Sequence, residues 1–366
     1  MPGPDITLQR SKVARTLPLL LLLSLGFLLS LPAWAQEAPS QPQSNPTPDA
    51  KSPAPSQSEQ DAPDMNQGVF VFRKNVDEVM LHATVVDDKQ RIITTLDRGA
   101  FTVFEDGKPQ SIISFHHIDI PVAMGIVIDN SGSMREKRNK VNQAALNLVR
   151  SSNPKDEVFI VNFNDEQYLD QDFTHDLLKL KEALEKIDAR GGTALYDAVT
   201  ASADHLKQNA RLEKKVIFLV TDGEDNASSY TLEQAVKQLS LEGSPSVYAI
   251  GILGDEDHPK RAKKALQVLA DRTGGIAFFP KTLDEVDEIS KTIANDIRNQ
   301  YAIGYKPSMP RKPGEFRQIR VEAKAKGHGK LMVRTKSGYY AAGEAASAPV
   351  SRAYPLPLGV FLSSLW

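Results

Sequence analysis

The chain has 366 residues, of which 41% are hydrophobic and 25% are charged, and it contains no cysteine. This is the composition of an ordinary globular protein, and it excludes a chain that is disordered throughout. The net charge of −2 provides no basic excess to attract nucleic acid. Without cysteine, neither a disulfide nor a lipid-modified cysteine anchor can form, so the core alone must stabilise the fold.

The first 35 residues have the order of a signal peptide. Basic residues precede an apolar run at 17–31, and small residues flank a tryptophan at 33–35. An uncleaved membrane anchor is the alternative, but about 15 apolar residues are short for a span that needs about 20. We therefore expect cleavage after Ala35 and an exported protein that is periplasmic, at the cell surface or secreted. Membrane association would require an uncleaved leader.

The remaining chain divides by its composition. Residues 36–67 are rich in Pro, Ser and Gln and have no apolar period, which predicts a disordered linker. Apolar and polar residues alternate in 68–120 and again in 301–341, a pattern typical of strands with one solvent-exposed face. We expect these two segments to pair into one β subdomain, because neither forms a stable sheet alone. Residues 342–366 form a tail whose apolar end is too short to span a bilayer.

Between residues 121 and 300, nearly all-apolar runs such as 122–128 and 216–220 alternate with helical patterns. Strands of this kind must be covered on both faces, as in a parallel sheet. The expected fold class is therefore α/β: a doubly wound, mostly parallel sheet flanked by helices, with the smaller β subdomain built from the segments before and after it.

Short side chains that carry oxygen lie at the ends of predicted elements. They are Asp129, Ser131 and Ser133 after the first buried strand, Thr193 in a glycine-hinged loop that opens a helix, and Asp222 after another buried strand. Ligands bind at the carboxyl ends of the strands in open α/β sheets, so all five should lie on one edge. Oxygen donors suit a hard cation such as Mg²⁺, whereas zinc would require His or Cys.

This three-part pattern resembles the von Willebrand factor A family, whose metal-ion-dependent adhesion site is written D-x-S-x-S, a separate Thr, and a separate Asp before Gly. The resemblance covers residues 121–300. It implies that Ser131, Ser133 and Thr193 touch Mg²⁺, Mn²⁺ or Ca²⁺, while Asp129 and Asp222 act mainly through bound water and hydrogen bonds. The flanking β segments are similar to those of bacterial exported proteins related to this family.

Neutral hydroxyl ligands would leave the cation most of its charge and an open position, which a carboxylate from another molecule can fill. The sequence therefore predicts an exported, metal-dependent binding or adhesion module that is not an enzyme. Its partner would be a protein that offers an Asp or Glu side chain. No nucleotide is expected, because residues 329–331 lack the spaced glycine and the following Ser or Thr of a phosphate loop.

Two other functions are weighed against this one. The domain could be a structural or assembly subunit of an envelope complex, in which the metal only stabilises the loop. It could also be a metal-assisted hydrolase with Glu224 or Asp225 as the base, although a solvated acidic loop is the simpler interpretation of these two residues.

The other charged residues that could suggest a site have simpler interpretations. Asp197 is expected to favour the start of a helix through the helix dipole. His116 and His117 are neighbours on a strand and cannot share one ion.

Overall fold

The computed structural model describes residues 78–117, 119–186, 189–254 and 259–342. The predicted signal peptide at 1–35 and linker at 36–67 lie outside the described residues, as does the tail from residue 343 onward. None of the helices in the described part of the chain combines the length and the hydrophobicity that crossing a membrane requires.

The described residues form strands and α-helices that we number in chain order. The strands are Val79–Val86 (β1), Phe101–Glu105 (β2), Lys108–His116 (β3), Val122–Asp129 (β4), Glu157–Phe163 (β5), Gln167–Thr174 (β6), Lys214–Thr221 (β7), Ser246–Gly251 (β8), Ala277–Phe278 (β9), Tyr301–Lys306 (β10), Phe316–Ala323 (β11), Met332–Arg334 (β12) and Gly338–Tyr340 (β13). The helices are Arg138–Arg150 (α1), Leu177–Glu185 (α2), Leu195–Asn209 (α3), Leu232–Leu239 (α4), Pro259–Thr273 (α5) and Glu285–Arg298 (α6).

One sheet has the order β6-β5-β4-β7-β8-β9, and its pairs are parallel except for the antiparallel edge pair β5–β6. Every residue of β4 is buried, because helices cover both faces of the sheet. Met124, Ile126 and Ile128 pack in a core with α1, α2 and α6, while Ala123 and Val127 pack in a second core with α3, α4 and α5. The predicted α/β class is confirmed, with an antiparallel edge strand that the sequence pattern does not show.

The other sheet is antiparallel throughout and has the order β12-β1-β10-β3-β2-β11-β13. Strands from before and after the α/β segment pair with each other in it, since Val79 pairs with Tyr305 in β10 and Val103 pairs with Val321 in β11. It has a core of its own, in which Leu81 is fully buried. With seven strands it contains more strands than the α/β sheet, although the sequence pattern suggests the smaller unit.

A buried polar network joins the two sheets. Asp296 on α6 is 3% exposed, and its carboxylate accepts hydrogen bonds from the Tyr248 hydroxyl at 2.6 Å and the Thr84 hydroxyl at 3.3 Å. Arg334 forms an ion pair with the same carboxylate. Gln300 completes the network by donating to the Tyr248 hydroxyl at 3.1 Å. Because β1 and β12 belong to the antiparallel sheet and β8 to the other, this network fixes the two sheets to each other.

His82 on β1 lies close to this junction and makes stability depend on pH. Burial and the charges of Lys214, Lys336 and Lys215 lower its pKa from 6.5 to about 3. An unfolded histidine titrates near its ordinary pKa of about 6.5, so between about pH 3 and 6.5 the unfolded chain binds more protons than the folded one. Stability should therefore fall as the pH drops below 6.5.

We expect the melting temperature to fall less between pH 7.5 and pH 5 in His82→Gln than in the wild type. His328→Gln is the matched control, since His328 is exposed in a turn. An equal acid loss in the wild type and in His82→Gln would show that His82 does not contribute to the pH dependence.

Candidate functional site

The first site loop begins where β4 ends, and its leading carboxylate is held from two sides. Asp129 is fully buried, and its Oδ1 accepts a hydrogen bond from the Ser131 backbone N–H at 2.7 Å. Its Oδ2 accepts a hydrogen bond from the Thr221 hydroxyl at the end of β7 at 2.6 Å. Burial raises the pKa of Asp129 to about 6. Asp129 therefore fixes the start of the loop against the neighbouring strand.

The two serine hydroxyls of this loop lie together, and one of them reaches the second site carboxylate. A short 3-10 turn, Gly132–Met134, places the Ser131 Oγ and Ser133 Oγ atoms 3.1 Å apart. Ser133 donates a hydrogen bond to Asp222 Oδ1 at 2.8 Å. A continuous chain of hydrogen bonds thus links four of the five predicted site residues at the carboxyl edge of β4 and β7.

Thr193 lies in an adjacent loop that the backbone joins to the first. The Gly132 N–H donates to the Gly191 carbonyl at 3.2 Å, and the Arg190 N–H donates to the Asn130 carbonyl at 2.8 Å. Thr193 is 3% exposed and precedes α3, as the glycine-hinged sequence predicts. The structure therefore brings the Thr193 loop to the same edge through main-chain contacts.

Two side chains that the sequence analysis does not single out shape the Thr193 loop. Asp165 accepts a hydrogen bond from the Gly192 N–H at 2.8 Å, and Asn226 accepts one from the Thr193 N–H at 2.8 Å. Gly191 has a φ of 76°, and a Cβ atom there would lie 2.1 Å from an Asp165 carboxylate oxygen. Glycine is required at this position both by its backbone conformation and by the close carboxylate.

A lysine supplies a positive charge inside the site. The Lys137 Nζ lies 2.5 Å from Asp222 Oδ2, and the two side chains are only 13% and 1% exposed. Asp222 thus shares its two oxygens between the Ser133 hydroxyl and the Lys137 ammonium. The sequence analysis does not identify Lys137. A cation four residues after Ser133 is the signal that could have drawn attention to it.

Comparison with known proteins gives a family match for the part of the chain that holds the site. Residues 124–224, which hold all five predicted site residues, match the family model described as the von Willebrand factor type A domain. This segment is therefore similar to a von Willebrand factor type A domain, and we refer to it as the A-type domain. No curated protein is significantly similar to the chain in sequence.

Several solved structures are similar in fold to the chain. A von Willebrand factor type A protein from Catenulispora acidiphila is 16% identical, with a TM-score of 0.44, and the match covers 76% of this chain and 77% of that one. The domain of the type V pili tip protein Mfa5 from Porphyromonas gingivalis is 13% identical, with a TM-score of 0.40 and coverages of 49% and 97%. An aerotolerance-related membrane protein from Bacteroides fragilis is 21% identical, with a TM-score of 0.41 and coverages of 48% and 98%.

The donor set of the A-type domain fits a hard divalent cation. Within the described residues, no group of three or more His, Cys, Asp or Glu side chains is arranged to hold a metal ion. The five predicted site residues offer hydroxyl and carboxylate oxygens, whereas a zinc centre would call for nitrogen or sulfur donors. The ammonium of Lys137 against Asp222 shows that the site accommodates positive charge.

Acidic residues near the site have structural partners. The Asp225 carboxylate accepts a hydrogen bond from the Tyr196 N–H at 3.0 Å in the first turn of α3, and burial raises its pKa. Asp197 accepts hydrogen bonds from the backbone N–H groups of Ser229 and Tyr230, both at 2.9 Å. Asp225 is thus half-buried and engaged, which differs from the solvated loop that we expected. Asp197 holds the loop that leads to α4.

The histidine pair at the end of β3 shows no arrangement for metal binding. His117 packs against the ring of Tyr301 with ring centroids 4.5 Å apart. Burial lowers the pKa of His117, so the neutral imidazole is favoured. These contacts place His117 with the aromatic residues of the antiparallel sheet.

Proposed function

We propose that the protein is an exported binding module in which Asp129, Ser131, Ser133, Thr193 and Asp222 hold a divalent metal, Mg²⁺ or alternatively Mn²⁺ or Ca²⁺. The partner is a protein that offers an Asp or Glu side chain. The observation that carries the proposal is the chain of hydrogen bonds in which the Ser131 and Ser133 hydroxyls lie 3.1 Å apart and Ser133 donates to the buried carboxylate of Asp222.

The hydrogen bonds of the site divide the roles of its residues. Both oxygens of Asp129 are engaged by Ser131 and Thr221, so Asp129 orients the loop. Asp222 orients the Ser133 hydroxyl from the opposite strand. Ser131, Ser133 and Thr193 would then be the direct ligands. A metal held by neutral hydroxyls supplies an electropositive point that a partner carboxylate can complete.

The contacts of the neighbouring acids favour binding over hydrolysis. A metal-assisted hydrolase would need a free base beside the metal, and Glu224 and Asp225 are the candidates that the sequence offers. Asp225 instead accepts hydrogen bonds from Tyr196 and from Ser228. Glu224 lies 3.8 Å from the guanidinium of Arg261. We therefore assign the module no catalytic role.

Export rests on the leader at residues 1–35, with its basic start, apolar run and small-residue end. The partner is accordingly sought in the cell envelope. A capture experiment with native envelope extract, with and without a chelator, would identify the partner and test metal dependence together.

In this capture experiment, we expect the association to be lost on chelation, restored by added Mg²⁺, and absent in Ser131→Ala. Ser229→Ala is the matched control, because Ser229 is exposed in a loop near the site. Association with a purified partner that survives both chelation and Ser131→Ala would overturn the proposal.

The same experiment distinguishes the proposed binding module from a structural or assembly subunit. If the metal only stabilises the loop, chelation lowers the melting temperature while the association persists. If the metal bridges the partner, the association is lost as well.

A further inference from the structure

A cavity of about 180 Å³ lies between the antiparallel sheet and the α/β sheet, away from the A-type site. Its lining includes His82 from β1, Lys215 from β7, and Lys336 from the segment between β12 and β13. One water molecule occupies about 30 Å³ of liquid, so the cavity has room for a tetrahedral oxyanion and associated water.

The basic side chains of this cavity make few hydrogen bonds. Lys336 is half-buried and makes no hydrogen bond or ion pair to any residue that the structure describes. The Lys215 ammonium reaches only the backbone carbonyl of Glu213, at 3.3 Å. The imidazole of His82 likewise has no hydrogen-bond partner within the described ranges. Three donors from three separate segments therefore face one space.

The carboxylates of the lining are held by other groups or lie at the surface. Glu242 pairs with Arg311 at 2.7 Å and also accepts a hydrogen bond from the Ala342 N–H at 3.0 Å. Glu78 accepts a hydrogen bond from the Ser114 hydroxyl. Glu213 is exposed. None of the three forms an ion pair with Lys215 or Lys336 among the residues described.

Burial is the main electrostatic influence on the basic groups of the cavity. It lowers the pKa of Lys336, which the charge of Glu242 raises and the nearby charge of Lys215 lowers further. Burial, followed by the charges of Lys214, Lys336 and Lys215, lowers the pKa of His82, which favours a neutral imidazole with one N–H to donate. An anion in the cavity would offset the repulsion between the ammonium groups and accept hydrogen bonds from all three donors.

We propose that this cavity binds a small oxyanion of the phosphate or sulfate class, with Lys336 and Lys215 as charged donors and His82 as a neutral donor. Since the donors belong to both sheets, the bound anion would link the sheets and stabilise their junction. This site is independent of the proposed metal site. The oxyanion could be free or could be the end group of a phosphate monoester.

The test is the melting temperature of the purified protein in inorganic phosphate, with sodium chloride adjusted to constant ionic strength. We expect a rise of about 3 °C or more in the wild type once phosphate exceeds its dissociation constant about tenfold. Lys336→Gln should lose the rise, whereas Lys330→Gln, an exposed control in the preceding segment, should retain it. Glycerol phosphate in a parallel series distinguishes a free anion from a monoester.

Phosphate also stabilises proteins by exclusion from their surface, but that effect would be equal in all variants. Each variant is therefore compared with itself in chloride, which also corrects for any loss of stability caused by the substitution. Lys215→Gln is the second variant if Lys336→Gln folds poorly. An equal rise in the wild type and in both variants, or no rise in the wild type, would overturn the proposal.

Discussion

Lys137→Met is expected to destabilise the chelator-treated protein by about 3–5 kcal/mol, because it leaves the buried carboxylate of Asp222 without its counter-charge. Methionine keeps a long unbranched side chain, so packing changes little. Asp222 is 1% exposed and its ion pair with Lys137 is 2.5 Å long. The measurement is equilibrium unfolding in denaturant after treatment with a chelator.

Lys140→Met on the following helix is the matched control. Lys140 pairs with Asp284, but these side chains are 53% and 82% exposed. An exposed ion pair contributes about 0–1 kcal/mol, so this variant should unfold almost like the wild type. Equal effects of the two substitutions would show that Lys137 does not compensate a buried charge.

Under the proposed function, the same substitution should strengthen metal binding. The ammonium of Lys137 and a divalent cation would both be attracted to the carboxylate of Asp222. Without the ammonium, the metal no longer competes for this carboxylate. We expect the affinity for Mg²⁺ to rise by about tenfold, or about 1.4 kcal/mol, in Lys137→Met. Added Mg²⁺ should accordingly recover more stability in this variant than in the wild type.

Asp296→Ala is expected to have the other large effect, a loss of about 3–5 kcal/mol in the free energy of unfolding. Its carboxylate is buried, bonds to Tyr248 and Thr84, and pairs with Arg334. Removing it leaves buried donors and a guanidinium without an acceptor at the junction of the two sheets. Denaturant unfolding measures the loss.

Asp271→Ala is the control for this substitution, since Asp271 is exposed on α5. It should change stability by no more than about 0.5 kcal/mol. If Asp296→Ala unfolds like this control, the polar network does not stabilise the junction.

The buried strands could be predicted from the sequence because burial on both faces leaves a continuous apolar run. The run at 122–128 corresponds to β4, and the run at 216–220 lies within β7. Strand β6 is not predicted, because it has no continuous apolar run. As an edge strand of sequence QYLDQDFT it needs no apolar covering on both sides, and it shows no buried residue.

Helix α4 is missed because it is short. It has eight residues, of which only Ala235 and Leu239 are buried, too few to establish a helical period.

The order of the antiparallel sheet could not be predicted from local sequence patterns either. Strands β1 and β10 are neighbours in that sheet, yet more than 200 residues separate paired residues such as Val79 and Tyr305.

Much of the candidate site follows from the positions of its residues at the ends of predicted elements. The carboxyl ends of parallel strands meet at one edge, which brings Asp129 and Asp222 together. The role of Lys137 could not be predicted in this way, since it depends on the 3-10 turn at Gly132–Met134 that directs the following residues back toward Asp222. That five residues hold a metal remains a prediction.

The most direct test of the central proposal is calorimetric titration of Mg²⁺ into chelator-treated protein. We expect saturable binding at a single class of site in the wild type, and a loss of affinity of at least about tenfold in the double variant Ser131→Ala, Ser133→Ala. Ser229→Ala should bind like the wild type. No saturable binding in the wild type, or equal affinity in the double variant, would contradict a metal held by these hydroxyls.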